Sequence, residues 1–210
     1  GGVNGDGIAD LLIGASRNDS TGTDAGAAYV VFGTNVPSST IRLSDVALGT
    51  GGYKIFAENA GDHAGSAISS AGDVNGDGIA DILIGAPFNS TGESLAGAAY
   101  VIFGTTNPTN SVHLSDIAQG TGGFKLIGNT YQGFAGQSVS AAGDMNHDGL
   151  DDFLLGAADN IHVIFGTETP GSFVNLSDIV NGDGGFSIAA ESASDFKNNS
   201  ISFAGDVNGD

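Results

Sequence analysis

The 210-residue chain has no cysteine, no tryptophan, one methionine, four prolines and only five lysines and arginines. Without cysteine there is no disulfide framework, a composition compatible with bacterial secretion. No apolar run approaches the roughly 20 residues that a membrane-crossing helix needs, so no bilayer-spanning segment is expected. Five cations against 24 acids leave a formal charge of −19. That charge repels phosphate backbones and anionic lipid, which makes nucleic acid and membrane surfaces poor partners. Glutamate is scarce as well: 4 of the 24 acids are Glu and 20 are Asp, beside 16 Asn. Asp and Asn favour turns, caps and metal loops over helix interiors. The expected fold is therefore mostly β, with its charge in turns.

Glycine is abundant, 36 residues of 210, more than twice the usual share of roughly 7%. It has no three-residue period, which removes collagen. A hydrophobic fraction of 40% suffices for a packed core, so disorder is not expected.

Internal repeats set the architecture. Phe-Gly-Thr closes three apolar runs, Tyr29-Val-Val-Phe-Gly-Thr34, Tyr100-Val-Ile-Phe-Gly-Thr105 and His162-Val-Ile-Phe-Gly-Thr167. Leu-Ser-Asp starts at Leu43, Leu114 and Leu176, and Gly-Gly-aromatic falls at 51–53, 122–124 and 184–186. Every landmark steps by 71 residues and then by 62, the missing nine lying between Gly156 and Gly166. One period reads as four short strands, typified by Ser138–Ala142, Asp81–Ile84 (or Asp152–Leu155), the Tyr-Val-Ile-Phe run and Gly123–Ile127. A helical turn at Leu-Ser-Asp, capped by Ser or Asp, is expected between the third and fourth. Continuously apolar strands imply sheets buried on both faces. The reading is all-β: β-propeller blades of four antiparallel strands, about three of them, with a β-solenoid as the weaker alternative. The repeats run approximately over 1–65, 66–136 and 137–198, with a partial fourth at 199–210.

Three blades do not close a ring. The chain opens in mid-motif at Gly1-Gly2-Val3-Asn4, with no signal peptide, and stops inside the same loop at Asp206-Val-Asn-Gly-Asp210. The expectation is a segment of a longer propeller, the other blades coming from the parent chain or, less favoured, from self-association.

The chemistry lies in a nine-residue loop after each first strand. The second copy is Asp73-Val-Asn75-Gly-Asp77-Gly-Ile79-Ala-Asp81 and the third Asp144-Met-Asn146-His-Asp148-Gly-Leu150-Asp-Asp152. Side-chain oxygens stand at positions 1, 3, 5 and 9, and Gly78 or Gly149 at position 6 permits a sharp turn. Such a set suits a hard cation that takes six to eight oxygens, calcium in preference to magnesium. The position 7 carbonyl (Ile79, Leu150) is expected to face the ion, its side chain entering the core, while Asp81 or Asp152 closes the cage. An EF-hand is excluded, because its twelfth position would be Ile84 or Leu155 where Glu is needed. The alternative is that Asp-Asn-Asp-Gly only makes Asx turns. The first copy offers Asn4, Asp6, the Ile8 carbonyl and Asp10, with Gly2 where Asp is expected; the last offers Asp206, Asn208 and Asp210.

These motifs resemble the FG-GAP repeat of integrin alpha chain propellers and related bacterial surface proteins. The match is carried by Phe134-Ala-Gly136-Gln-Ser-Val-Ser-Ala-Ala-Gly-Asp144 with its acidic loop and by Gly85-Ala86-Pro87, which varies to Gly14-Ala15-Ser16 and Gly156-Ala157-Ala158. The resemblance implies a seven-bladed propeller with calcium loops on its lower rim, used in extracellular or cell-surface adhesion. It also implies a protein or glycan ligand. By that pattern the calcium ligands are Asp73, Asn75, Asp77, Ile79 and Asp81, then Asp144, Asn146, Asp148, Leu150 and Asp152. The extra Leu-Ser-Asp and Gly-Thr-Gly-Gly segments suggest a bacterial relative, and Asn198-Asn199 departs from the pattern.

No enzyme signature is present: no cysteine nucleophile, His-Glu-x-x-His, Gly-x-Ser-x-Gly or phosphate-binding glycine loop with Lys. None of His63, His113, His147 and His162 recurs between repeats. The segment is expected to be non-catalytic, the alternative being an accessory propeller of a secreted, phospholipase-like hydrolase. Tyr29, Tyr100 and the Phe residues are expected in the core between blades. The polar loops Arg17–Ala25 and Asn89–Leu95 are the recognition candidates. Asn18, Asn89, Asn175 and Asn198 each begin a glycosylation sequon, a weak signal in an Asn-rich chain.

Overall fold

A computed structural model describes residues 2–36, 39–158, 160–192, 200–205 and 207. In the first blade β1 (Leu11–Ala15), β2 (Ala27–Val31) and β3 (Gly52–Phe56) pair antiparallel in sequence order, with the helical turn α1 (Leu43–Val46) between the last two. The second blade comprises β4 (Ala67–Gly72), β5 (Asp81–Ala86) and β6 (Ala98–Ile102); after β7 (Ser111–His113) and α2 (Leu114–Ile117) it is continued by β8 (Gly123–Ile127). The third repeats this plan with β9 (Ser138–Gly143), β10 (Asp152–Gly156), β11 (Asn160–Ile164), β12 (Phe173–Asn175), α3 (Leu176–Val180) and β13 (Gly185–Ala189).

The strands β5 and β6 are apolar and buried throughout because the sheet of the second blade is covered on both faces. Alternate residues point to opposite faces. On β5, Ile82 and Ile84 enter a core with Ala28, Val30, Ile55 and Tyr100, while Leu83 enters another with Phe124, Phe153 and Leu155. Tyr100 is buried in the core between the first two blades, as its repeat position foretells, while Tyr29 is buried against Val31 and Val46 of its own blade.

Two features depart from the expectation. The sheets are not closed at four strands: β7 pairs parallel with β3, and β12 with β8, so each added strand joins the outer edge of the preceding blade. A parallel pair needs a long crossover, which the intervening strands of the next blade supply, β4 to β6 in one case and β9 to β11 in the other. The helical turns form, but Ser and Asp lie inside them. The caps are Arg42, His113 and Asn175, without side-chain capping bonds.

Neighbouring blades also interlock through glycine. The Gly136 amide donates to Gly156 O at 3.0 Å within its own blade. Its carbonyl presses against the preceding blade, where a Cβ on Gly85 would stand 1.9 Å from it. Gly14 meets Gly65 O in the same way. The Phe-Ala-Gly and Gly-Ala-Pro elements are thus two halves of one contact.

Cross-strand pairs at one repeated position carry the polar groups. Tyr29 faces Lys54, Tyr100 faces Lys125, and His162 faces Ser187. The Lys54 ammonium donates to Asn18 Oδ1 at 3.0 Å and Ser20 Oγ at 2.5 Å. Lys125, 2% exposed, pairs with Glu58 of the preceding blade at 2.6 Å and donates to Thr91 Oγ1 at 2.7 Å. Asn89 is buried and its amide donates to Asp62 Oδ2 at 2.8 Å. The inner parts of both recognition candidates therefore serve the scaffold, and Asn89 is closed to glycosylation. Burial pushes the His162 imidazole down to about 4.

Gly85→Ala is expected to lower unfolding stability by roughly 3 kcal/mol, since backbone must move to admit the methyl group; denaturant melts that superimpose on wild type would refute the interlock. A second expectation concerns pH. His162 is neutral in the fold, whereas the unfolded ring takes a proton below about pH 6.5. Stability is complete above pH 6.5 and falls by up to about 3 kcal/mol as pH drops to 4. His162→Tyr, the residue of the other two blades, is expected to remove that part of the acid slope while the carboxylate part remains.

Candidate metal loops

Each loop follows its strand through a bulge, at Gly72 opposite Asp81 and at Gly143 opposite Asp152, which turns the chain out of the sheet. The position 9 aspartate is the fixed point. Asp81 Oδ2 accepts the Val74 amide at 3.0 Å and Oδ1 the Gly104 amide at 2.8 Å. Asp152 accepts Met145 at 2.8 Å and Gly166 at 2.9 Å, and Asp10 accepts Val3 at 2.9 Å and Gly33 at 2.8 Å. Asp81 and Asp152 are fully buried. Burial dominates in pushing Asp81 up to about 7; the two amide bonds pull it down, and the charges of Asp77 and Asp73 raise it again. Asp152 is raised for the same reasons, with Asp148 and Asp144 as the neighbouring charges.

Positions 3 and 5 make Asx turns. Asn75 Oδ1 accepts the Asp77 amide at 2.9 Å and Asp77 Oδ1 the Ile79 amide at 2.9 Å; Asn146 and Asp148 repeat this at 3.0 and 2.9 Å, Asn4 and Asp6 at 3.1 and 2.8 Å. Position 1 closes on amides as well. Asp73 accepts Gly76 and Asp77 through Oδ1 and Gly78 through Oδ2, while Asp144 accepts Asp148 and Gly149. Among the described residues no three Asp, Glu or His side chains gather closely enough to form a cation cluster.

The first loop reveals where donors meet. A Cβ built on Gly2 would stand 2.3 Å from Ile8 O, 2.6 Å from Asp10 Oδ2 and 3.1 Å from Asn4 Oδ1. Three oxygens named from spacing alone thus crowd the side-chain position of residue 2, which is glycine here and Asp in the other copies. The position 7 side chains Ile8, Ile79 and Leu150 are half-buried and lie against Gly33, Gly104 and Gly166. Asp206, Asn208 and Asp210 lie outside the described residues.

Sequence reasoning missed how the loops are joined. Thr105 donates its amide to Val3 O at 3.0 Å and Thr167 to Val74 O at 2.8 Å, so each Phe-Gly-Thr grips the acidic loop of the preceding blade. Asp151 accepts the Asp73 amide at 2.8 Å and returns its own to Asp73 O at 3.0 Å. The signal was available, since Asp151 stands where the earlier copies have Ala9 and Ala80.

The sequence profile of the FG-GAP repeat family matches residues 3–31 and 64–102, within the first two blades. Integrin alpha-5 of Xenopus laevis is 32% identical over 160 residues, 74% of this chain and 14% of that protein. Integrin alpha-V of Gallus gallus is 29% identical over 158 residues, again 74% and 14%, and integrin alpha-X of Homo sapiens 37% over 93 residues, 44% and 7%. The chain spans about one seventh or less of these relatives.

His147 occupies a turn position that is glycine in the first two loops, at a φ of 62°. Its side chain is exposed, so His147→Gly is expected to raise stability by about 1 kcal/mol through relief of left-handed strain. A thermal melt that is unchanged or lower would show that the ring makes a compensating contact.

Proposed function

The chain is an FG-GAP repeat protein, and from that premise we propose that it is a calcium-braced, non-catalytic propeller segment of an extracellular or cell-surface protein. Its role in this reading is adhesion or recognition of a protein or glycan ligand. The remaining blades come from the parent chain or from association of copies. The observation that carries the calcium reading is the repeated set of side-chain oxygens at positions 1, 3, 5 and 9 of the second and third loops, Asp73, Asn75, Asp77 and Asp81, then Asp144, Asn146, Asp148 and Asp152, an all-oxygen donor set of the kind calcium takes.

The donor chemistry of these loops fits that ion. Asp73, Asn75, Asp77, the Ile79 carbonyl and Asp81 would hold one calcium, and Asp144, Asn146, Asp148, the Leu150 carbonyl and Asp152 a second. Asn4, Asp6, the Ile8 carbonyl and Asp10 form a weaker site without a first-position acid. Bound calcium would supply charge neutralisation to a cluster whose members raise one another's proton affinity. The chain's part is to fix the donors. Asx turns orient positions 3 and 5, and the position 9 carboxylates hold the loop ends whatever else they bind.

That dual use dictates the test. Asp81→Ala would free two amides and lower stability even in chelator, so it cannot report on calcium alone. Asp77→Asn and Asp148→Asn keep the side-chain oxygen that accepts Ile79 or Leu150 and remove the charge, at the cost only of the exposed bond that Oδ2 accepts from the Asn75 or Asn146 side-chain amide. In calorimetric titration of calcium against magnesium, wild type is expected to bind two calcium ions tightly, with little competition. The double variant is expected to melt at a lower temperature than wild type in calcium, and together with wild type in excess chelator. Absence of binding heat in folded wild-type protein would reduce the loops to Asx turns and remove the calcium reading.

A further inference from the structure

The blades are copies, so the contents of one blade junction can be compared with those of the next. Between the first and second blades the space is filled by the fully buried Tyr100, whose hydroxyl donates to Glu58 at 2.5 Å, and by Lys125, which reaches the same carboxylate. Between the second and third blades the matching positions are His162 for Tyr, Ser187 for Lys and Asn129 for Glu. Asn89–Gly97, which supplied the lysine's partner Thr91, has no counterpart. A cavity of about 220 Å³ stands there, lined among others by Asn129, Thr130, Asn160, His162, Leu176 and Val180.

The lining fixes the chemistry of an occupant. Among the described residues it contains no carboxylate, ammonium or guanidinium, and the chain's −19 charge disfavours anions. Two amides, a hydroxyl and an imidazole offer both donors and acceptors, and Leu176 and Val180 offer an apolar wall. The imidazole is 4% exposed and its Nδ1 is joined to Ser187 Oγ at 2.8 Å. Among the described residues its Nε2 has no hydrogen-bond partner. Asn129 and Thr130 are exposed and form the mouth. The volume lies below the roughly 300–1,000 Å³ of pockets for drug-sized molecules, so the occupant is small.

We propose that this junction binds one neutral monosaccharide unit, free or at the end of a glycan, with Nε2 of His162 engaging a sugar hydroxyl and the apolar wall meeting a C–H face. The proposal rests on the recognition reading above and narrows it to one junction.

The test is saturation-transfer NMR on the whole chain in calcium, with a panel of free neutral hexoses and N-acetylhexosamines, while the His162 ring resonances are followed. At least one sugar is expected to show transfer and to shift the ring. Transfer is expected to fall at least tenfold in His162→Tyr, which refills the space with the residue of the other blades, and transfer and ring shift both to fall at least tenfold in Thr130→Trp, which blocks the exposed mouth without touching the core. Transfer that persists in both variants would place the sugar elsewhere and overturn the proposal, as would silence across the panel in folded wild-type protein. An array of immobilised glycans and proteins separates the two readings. A hit that survives both substitutions overturns the pocket and leaves recognition standing; silence on the array as well overturns both.

Discussion

One carboxylate per blade, fully buried in the second and third, organises the acidic loops. The aspartate nine residues into each loop binds the amide of the loop's second residue and the glycine amide of Phe-Gly-Thr, in all three blades. A single side chain therefore joins the turn between the first two strands to the end of the third. Burying a charged group is costly unless it is bonded or balanced, and two amide donors per carboxylate meet only part of that cost. The rest appears as the raised proton affinity of Asp81 and Asp152. The same carboxylates are thus fasteners for the backbone and places of high negative potential, so the proposed cation sites would coincide with structural knots.

That coincidence explains why Phe-Gly-Thr repeats so strictly. Its glycine must approach a neighbouring backbone closely: a Cβ on Gly33 or Gly104 would stand 2.2 or 2.4 Å from the carbonyl before the aspartate. Its threonine amide holds the acidic loop of the preceding blade. The tripeptide ends a strand, receives the fastener and passes the connection on. Blades joined in this way are coupled through their loops as well as through their apolar faces.

Much of this was legible in the sequence because repetition removes ambiguity. The equal offsets of Phe-Gly-Thr and Leu-Ser-Asp fix the blade plan, and continuous apolar runs such as Asp81–Ile84 reveal sheets covered on both faces. Positions 1, 3, 5 and 9 mark the acidic residues whose turns the fold then displays. What stayed hidden depends on contacts between copies. Ser111–His113 reads as a polar connector, and only the neighbouring blade's edge makes it a parallel strand. Ser and Asp in Leu-Ser-Asp look like caps because capping is a local preference, yet the chain begins its turn one residue before that leucine. Asn89 and Thr91 look like surface loop residues. The positive charge of Lys125, inside a junction, draws Thr91 inward, and Asp62 does the same for Asn89.

The third blade shows that these junction residues form a set. A buried lysine is tolerable only with its partners: Lys54 has Asn18 and Ser20, and Lys125 has Thr91 and Glu58. Removal of the nine-residue loop takes away the first group, and Asn129 in place of glutamate takes away the second. An unpartnered lysine at residue 187 would then be strongly destabilising, and serine stands there instead. Tyrosine, which shared the glutamate, becomes a histidine kept neutral by burial. One loop deletion thus accounts for several side-chain differences and for the space they leave. The apolar faces and the Gly85–Gly136 interlock are untouched by these changes, which lets a blade junction be rebuilt into a pocket without loss of the blade.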